Sequence, residues 1–249
     1  MLNNKKVIIF DMDGTLIDSM DIWNQVDKEL IKHLGYKGNI ESNIIQSQRD
    51  EKLFSKSDNP YIDYCAFLGI KYGSNMTGEE ILNLRYDIAQ NYLINIIDYK
   101  PNADNCIKKL KAKGFIIGIA STTRKKNMEI YINQNQNMIK KAKLDEYFSF
   151  IYTREDAKEI KPNPEIYYRI LKEQNVSKEE CLIIEDSLIG IEAAVNAGIE
   201  CLVIYDKYSD SDRDKINELS NYQIKDFIEF EEIIDKSGNW DGSLFQAVF

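Results

Sequence analysis

One short stretch near the amino end, residues 7–15, constrains the fold more than any other part of this 249-residue chain. It reads VIIFDMDGT, so four apolar residues, three of them β-branched, precede two carboxylates and a glycine. Such an apolar run is typical of a strand buried on both faces of a parallel sheet. Residues two apart on an extended backbone share a face, so Asp11 and Asp13 are expected to point into one pocket at the strand's carboxyl end.

Two neighbouring carboxylates repel each other unless a cation or a shared proton relieves the repulsion. A hard divalent cation, most simply Mg²⁺, is the natural relief, so Asp11 and Asp13 are candidate residues of a magnesium site. Gly14 would turn the chain away without a side-chain clash. The fragment alone also fits a strand followed by a polar turn, because Asp-Gly is a common turn pair.

Four further apolar runs predict buried strands, at 115–120, 148–152, 181–184 and 201–204, with helical segments between them. Strands that alternate with helices predict an α/β fold with a doubly wound parallel sheet. About 80 residues without a convincing strand, from about 20 to 98, follow the first strand, which is far longer than an ordinary crossover.

The long first crossover predicts an inserted all-helical domain. We place a discontinuous core domain at residues 1–19 and 99–249 and an inserted helical cap domain at 20–98. An insertion directly after the carboxylate loop suits a lid over an active site. The tail from Ser237 onward reads as an irregular arm with no assigned function.

Composition and charge exclude several classes of function. The net charge of −9 argues against a nucleic-acid partner and offers no basic surface to anionic membranes. No apolar run reaches the roughly 20 residues that span a bilayer, and the first strand begins too early to leave room for a secretory signal. We therefore expect a cytoplasmic protein without nucleic-acid or membrane partners. A monomer is a separate expectation, which the charge does not establish.

Cysteine and histidine usage narrows the possible chemistry. The four cysteines lack CxxC spacing, which disfavours a zinc site and a disulfide framework. His33 is the only histidine, so catalysis by a Ser-His or Cys-His arrangement would depend on that residue alone. An enzyme built from this chain is expected to use carboxylates, lysine and metal.

Three of the later predicted strands end in polar groups of a chemically useful type. Ser121 and Thr122 follow the second strand just before a helix, where hydroxyls and free backbone N–H groups can form an anion site. Lys161 comes after the third strand beside two prolines, which would aim its ammonium group as a point charge. Glu185 and Asp186 follow the fourth strand and offer further oxygen ligands. Taken singly, these residues also fit ordinary helix caps and a solvated lysine.

The combination of these motifs resembles the haloacid dehalogenase-like hydrolase superfamily. Its four motifs are matched by DMDGT at 11–15, Ser121, Lys161 and the Glu185-Asp186 pair. The segments DMDGTLIDS, KPNPEIY and EDSLIGIEAA are similar to the corresponding motifs of the subgroup that includes β-phosphoglucomutase and many sugar-phosphate phosphatases. The resemblance covers residues 1–19 and 100–235, and it implies a Rossmann-like core with a helical cap after the first motif.

The resemblance also implies an activity. It indicates a Mg²⁺-dependent phosphomonoester hydrolase whose partner is a small phosphorylated metabolite, with a sugar phosphate as one candidate. Asp11 would attack phosphorus and form an aspartyl-phosphate intermediate. Asp13 would serve as general acid and then as general base. Lys161 and Ser121, with the backbone N–H of Thr122, would hold the phosphate oxygens.

The resemblance further implies a set of residues around the metal. Mg²⁺ would be bound by Asp11, by the backbone carbonyl of Asp13 and by Asp186. Glu185 would lie behind them and orient a metal-bound water or Lys161.

Two other activities stay open at this point. A β-phosphoglucomutase-type intramolecular phosphotransferase is the nearer alternative, but the histidine of its early cap helix has no counterpart in the residues after Asp18. A non-catalytic phospho-acceptor module would also combine clustered aspartates, a hydroxyl and a lysine around Mg²⁺, yet it needs no general acid such as Asp13. Arg49 and Lys52 are candidate substrate contacts in the cap, and both also fit the surface of a helix.

Overall fold

The computed structural model describes residues 1–53 and 59–238 of the chain. The predicted C-terminal arm therefore lies, from residue 239 onward, outside the described residues. The chain divides into two compact units. A core unit is formed by Met1–Asp18 and Asp98–Phe249, and a helical unit is formed by Ser19–Ile97.

The core unit contains a six-stranded sheet in the order β3-β2-β1-β4-β5-β6, and each neighbouring pair of strands is parallel. The strands are Val7–Phe10 (β1), Ile116–Ala120 (β2), Phe150–Tyr152 (β3), Cys181–Glu185 (β4), Glu200–Ile204 (β5) and Tyr222–Ile224 (β6). This topology confirms the predicted α/β fold with a doubly wound parallel sheet.

The centre of the sheet is β1, because the chain adds β2 and β3 on one side of it and β4, β5 and β6 on the other. The order of the strands reverses between β1 and β4, and open α/β sheets bind ligands at such a point. Phe10 is level with Ile119 of β2 and with Ile184 of β4. Asp11 and Glu185 each follow these positions by one residue, so the register makes them neighbours.

In the described residues, the helical unit has four α-helices followed by a π-helical turn at Tyr92–Ile96. The helices are Met20–His33 (α1), Ser42–Leu53 (α2), Pro60–Tyr72 (α3) and Gly78–Asn91 (α4). Local sequence chemistry sets their ends. Gly73 ends α3 in the left-handed conformation, and Thr77 and Glu80 form a reciprocal capping box at the start of α4.

One buried aspartate connects all four helices of the helical unit. Asp27 of α1 is 0% exposed and pairs with Arg49 of α2 at 2.8 Å (Nη1 to Oδ2) and with Arg85 of α4 at 2.6 Å (Nε to Oδ1). The hydroxyl of Tyr64 on α3 donates to the same carboxylate over 3.1 Å. A buried ion cluster is costly to disrupt, because removing one partner leaves the others charged and desolvated.

The helices of the core unit are Ala103–Ala112 (α5), Lys125–Asn133 (α6), Gln136–Lys141 (α7), Leu144–Tyr147 (α8), Glu165–Glu173 (α9), Leu188–Ala197 (α10), Arg213–Leu219 (α11) and Phe227–Lys236 (α12). Alternate residues of β1 face opposite sides of the sheet. Val7 and Ile9 pack in one cluster with Ile183 of β4 and Ile170 of α9. This packing fixes the strand ends from which the polar loops emerge.

The Asp27 cluster generates a prediction for the helical unit. Replacing Asp27 by Asn keeps the shape of the side chain and leaves Arg49 and Arg85 buried without a carboxylate. We expect a loss of about 3–5 kcal/mol in the free energy of unfolding, measured by chemical denaturation. Asp87→Asn, an exposed aspartate on α4, is the control and should change stability by less than about 0.5 kcal/mol. Equal effects of the two substitutions would contradict the assignment.

Candidate active site

The loop after β1 brings the first carboxylate against the end of β4. The backbone N–H of Asp11 donates to the carbonyl oxygen of Ile184 over 2.9 Å. Gly14 then turns the chain with φ of +82°, and a Cβ at this position would lie 2.4 Å from Oδ2 of Asp186. Glycine is required here for two reasons, since both the backbone conformation and the closeness of the Asp186 carboxylate exclude a side chain.

Lys161 supplies the positive charge of the site. Its Nζ lies 2.7 Å from Oδ1 of Asp11 and 2.5 Å from Oε1 of Glu185. The same nitrogen donates to the carbonyl oxygen of Ala120, at the end of β2, over 2.8 Å. Lys161 is only 4% exposed, so these three acceptors replace its hydration. The ammonium therefore ties together the carboxyl ends of three adjacent strands, β2, β1 and β4.

Three buried carboxylates converge in a manner that could hold a cation. One oxygen from each of Asp11, Glu185 and Asp186 lies within 4.8 Å of the other two. The hydroxyl of Thr15 donates to Oδ1 of Asp186 over 2.7 Å and so orients that carboxylate. The structure thus brings together three of the four predicted metal-site residues through their side chains. Asp13, the fourth, was predicted to contribute its backbone carbonyl rather than its carboxylate.

The electrostatics of the site reflect an excess of negative charge. The pKa of Asp11 is raised to about 7, chiefly by burial and also by the charge of Glu185, although the ammonium of Lys161 acts in the opposite direction. Burial, followed by the charges of Glu185 and Asp11, also raises the pKa of Asp186 well above its usual value. Burial by itself would lower the pKa of Lys161, but the two adjacent carboxylates raise it instead. Three carboxylates facing one ammonium favour the uptake of a proton or a cation.

The hydroxyl residues after β2 lie at the same edge of the sheet. Ser121 is buried, and its backbone N–H donates to the carbonyl oxygen of Tyr152 over 3.0 Å. It directly follows Ala120, whose carbonyl oxygen accepts from Lys161. Thr122 is exposed. Ser121, Thr122 and Lys161, the predicted phosphate-binding residues, line the same small cavity.

Asp13 has a partner to which the sequence analysis gave no role. Its Oδ2 accepts a hydrogen bond from the hydroxyl of Thr123, a buried residue two positions after Ser121. Thr15, which lies in the first motif, likewise has a partner in the site, the carboxylate of Asp186. No periodicity indicates such pairings, because the hydroxyl and the carboxylate come from different strand-end loops. The sequence contained only a coarse signal, namely three consecutive hydroxyl residues at 121–123.

The two predicted substrate contacts of the helical segment have partners within the helical unit. Arg49 is 5% exposed and is held by Asp27 and by Oδ1 of Asn24 at 3.0 Å. Lys52 lies 3.3 Å from Glu51 and 5.1 Å from the ring centroid of Phe67. Contact of either residue with substrate stays a prediction.

A comparison with known families identifies the chain. A family model described as haloacid dehalogenase-like hydrolase matches residues 8–204, which run from within β1 to the end of β5 and include all four motifs. The chain belongs to this family. The match confirms the resemblance drawn from the sequence.

Relatives of this haloacid dehalogenase-like hydrolase include named phosphatases. The phosphorylated carbohydrates phosphatase of Thermotoga maritima is 24% identical over 197 residues, which cover 78% of this chain and 82% of that protein. The glyceraldehyde 3-phosphate phosphatase of Pyrococcus furiosus is 24% identical over 242 residues and 95% of each chain. Together with the family match, these relatives confirm the prediction of an enzyme, a phosphatase of this family.

Solved structures show the same fold. CbbY from Rhodobacter sphaeroides, determined in complex with phosphate, is similar to this hydrolase with a TM-score of 0.67 and 21% sequence identity. The alignment covers 91% of this chain and 96% of CbbY. Within the described ranges, none of the helices is both long and apolar enough to cross a membrane.

Charge balance around Lys161 generates a prediction that does not depend on activity. In metal-free protein, Lys161→Met leaves Asp11 and Glu185 without their buried cation. At pH 8 we expect a loss of about 3–5 kcal/mol in the free energy of unfolding. At pH 5 the loss should be smaller. The pKa of Asp11 is already raised to about 7 and would rise further, so proton uptake relieves the repulsion at low pH.

The measurement is chemical denaturation in EDTA at both pH values. Lys5→Met is the matched control, because Lys5 is also buried but bonds a backbone carbonyl at 2.8 Å and the 41%-exposed Glu200. Its loss should be nearly the same at pH 5 and pH 8. An equal loss at both pH values for Lys161→Met would contradict the charge balance described here.

Proposed function

We propose that this chain is a Mg²⁺-dependent phosphomonoester hydrolase that acts on a small phosphorylated metabolite through an aspartyl-phosphate intermediate on Asp11. The observation that supports this most strongly is the convergence of Asp11, Lys161, Glu185 and Asp186 in one buried cluster at the strand-order reversal. Phosphoryl transfer needs an in-line nucleophile, charge neutralisation on the phosphoryl oxygens and a proton for the leaving group.

Asp11 is proposed as the nucleophile. One of its oxygens, Oδ1, is held at 2.7 Å by Lys161, which fixes the direction of the carboxylate and leaves Oδ2 to attack phosphorus. Lys161 would then stabilise negative charge on the phosphoryl oxygens, together with the hydroxyl of Ser121 and the backbone N–H of Thr122. Glu185 holds the other side of the ammonium and so keeps Lys161 charged and aimed.

The donor set around Asp11 fits a magnesium ion. The three converging carboxylates provide only hard oxygen ligands, and a single ammonium leaves them with excess negative charge. Asp11, Asp186 and the backbone carbonyl of Asp13 would hold the ion, with Glu185 orienting groups around it. When bound, Mg²⁺ would neutralise charge on the phosphoryl group and on the cluster.

Asp13 is proposed as the general acid and base. It would protonate the departing oxygen as the bond to phosphorus breaks, and later take a proton from the water that attacks the phosphoenzyme. Its placement two residues after the nucleophile supports this role, since both residues project from the same loop.

The substrate class is proposed as a small phosphorylated compound, with sugar phosphates as the first candidates. The names of the Thermotoga and Pyrococcus relatives, which refer to phosphorylated carbohydrates and to glyceraldehyde 3-phosphate, support this choice. We also propose that the inserted segment 20–98 acts as the cap and contributes specificity. Arg49 and Lys52 are retained there as candidate contacts.

An activity assay tests the proposal. Purified protein is incubated with 4-nitrophenyl phosphate and with a panel of phosphorylated metabolites, in Mg²⁺ or in EDTA. We expect steady release of phosphate in Mg²⁺ and at least about 100-fold less in EDTA. Asp11→Asn should abolish turnover while the protein stays folded, whereas Asp145→Asn, an exposed aspartate of the core unit, should have no effect.

The intermediate is measured by rapid acid quench and peptide mass spectrometry, which should find phosphate on the peptide containing Asp11. Three results would contradict the proposal. An active Asp11→Asn variant would mean a different nucleophile. Conversion of a hexose 1-phosphate to the 6-phosphate without net phosphate release would indicate a phosphotransferase. A stable stoichiometric acyl phosphate without turnover would indicate a phospho-acceptor module.

A further inference from the structure

Thr123 holds one oxygen of the Asp13 carboxylate. The Thr123 hydroxyl donates to Oδ2 of Asp13. Thr123 is itself only 8% exposed and is fixed through its backbone. Its N–H donates to Oγ of Ser121 over 3.0 Å, and its carbonyl oxygen accepts from the N–H of Arg154 over 3.0 Å. The backbone of Thr123 is therefore held by contacts within its own loop and with the loop after β3, and these contacts fix where its side chain begins.

The second oxygen of Asp13 is in the opposite situation. Among the described residues, Oδ1 of Asp13 has no hydrogen-bond partner, although this atom is buried. A buried polar atom without a partner is unfavourable, and in a native structure it calls for an explanation such as a catalytic role. The carboxylate is thus asymmetric, with Oδ2 held and Oδ1 unpartnered.

We propose that Thr123 is a positioning residue for Asp13, and that it makes Oδ1 the oxygen through which Asp13 transfers protons. The inference rests on the proposed function, in which Asp13 is the general acid and base. The Thr123 hydroxyl can donate to Oδ2 both when Asp13 is protonated on Oδ1 and when Asp13 is ionised. When the proton is on Oδ1, Oδ2 is a carbonyl oxygen that still accepts, and when Asp13 is ionised, Oδ2 is a carboxylate oxygen that accepts as well.

Each half-reaction moves one proton through Oδ1 of Asp13. In the first half-reaction a bond forms between Asp11 and phosphorus, the bond to the leaving oxygen breaks, and the proton moves from Oδ1 of Asp13 to that oxygen. In the second half-reaction water attacks phosphorus, its proton moves to Oδ1, and the bond to Asp11 breaks. The hydroxyl proton of Thr123 stays on Thr123 throughout.

A positioning role makes a prediction that a purely structural role does not. Proton delivery matters most for a leaving group that is a strong base, and least for a leaving group that is stable as an anion. The measured quantity is kcat/KM, which reports the steps up to formation of the phosphoenzyme. It is determined for an alkyl phosphate and for 4-nitrophenyl phosphate in saturating Mg²⁺.

Thr123→Val removes the donor and nearly preserves the shape of the side chain. We expect it to lower kcat/KM about tenfold or more for the alkyl phosphate and by less than about twofold for 4-nitrophenyl phosphate. Thr123→Ser keeps the hydroxyl and should restore most of the lost activity. If the valine variant does not fold, Thr123→Ala serves the same purpose. Equal losses on both substrates, or no loss on either, would overturn the inference.

Two further variants complete the test. Thr153→Val is the matched control, because Thr153 is a buried threonine of the core unit whose hydroxyl donates to Asp156 over 2.9 Å. It should affect both substrates equally. Asp13→Asn separates the positioning role of Thr123 from the proposed acid–base role of Asp13. It should lower kcat/KM for the alkyl phosphate more than Thr123→Val does, and again by more than for 4-nitrophenyl phosphate. If Asp13→Asn is selective and Thr123→Val is not, only the inference fails. If Asp13→Asn is not selective, the proposed role of Asp13 fails as well.

Discussion

The site depends on one buried ammonium placed between carboxylates that are far apart in the sequence. Lys161 contacts Asp11, at the end of β1, and Glu185, at the end of β4, while its third partner is a backbone carbonyl at the end of β2. Without that cation the sheet would have to bury neighbouring carboxylates with nothing to offset their charge. The sheet supplies the geometry, because the parallel register makes these strand ends adjacent.

The two units each bury a cluster of charged side chains, but the balance of positive and negative charge differs between the two clusters. In the helical unit one carboxylate, Asp27, faces Arg49 and Arg85, and the cluster connects four helices. In the core unit three carboxylates face one ammonium, so the cluster retains negative charge. The first arrangement provides charge pairing that stabilises a small helical unit. The second leaves an attraction for cations, which is the property that a phosphoryl-transfer site requires.

The fold class could be predicted from the sequence, because buried parallel strands are continuous apolar runs that end abruptly in charged or polar residues. Edge strand β6 was missed, since Tyr222–Ile224 is short and only its last residue is fully buried. The motif residues could be recognised by resemblance and by their position after strands. The bond from Thr123 to Asp13 and the pairing of Arg49 with Asp27 could not be predicted. Each contact joins two side chains that tertiary packing brings together. The spacing of these residues in the sequence does not indicate that they are close.

The carboxylate cluster of the core unit holds excess negative charge, which favours the uptake of protons when no cation is bound. Isothermal titration calorimetry of Mg²⁺ binding at pH 6.5, in two buffers of different ionisation enthalpy, measures the protons that a cation displaces from it. Since burial raises the pKa of Asp11 to about 7 and the pKa of Asp186 well above its usual value, we expect release of at least most of one proton per ion at pH 6.5, and less release as the pH is increased. Binding of Mg²⁺ without any proton release at pH 6.5 would rule out this charge balance.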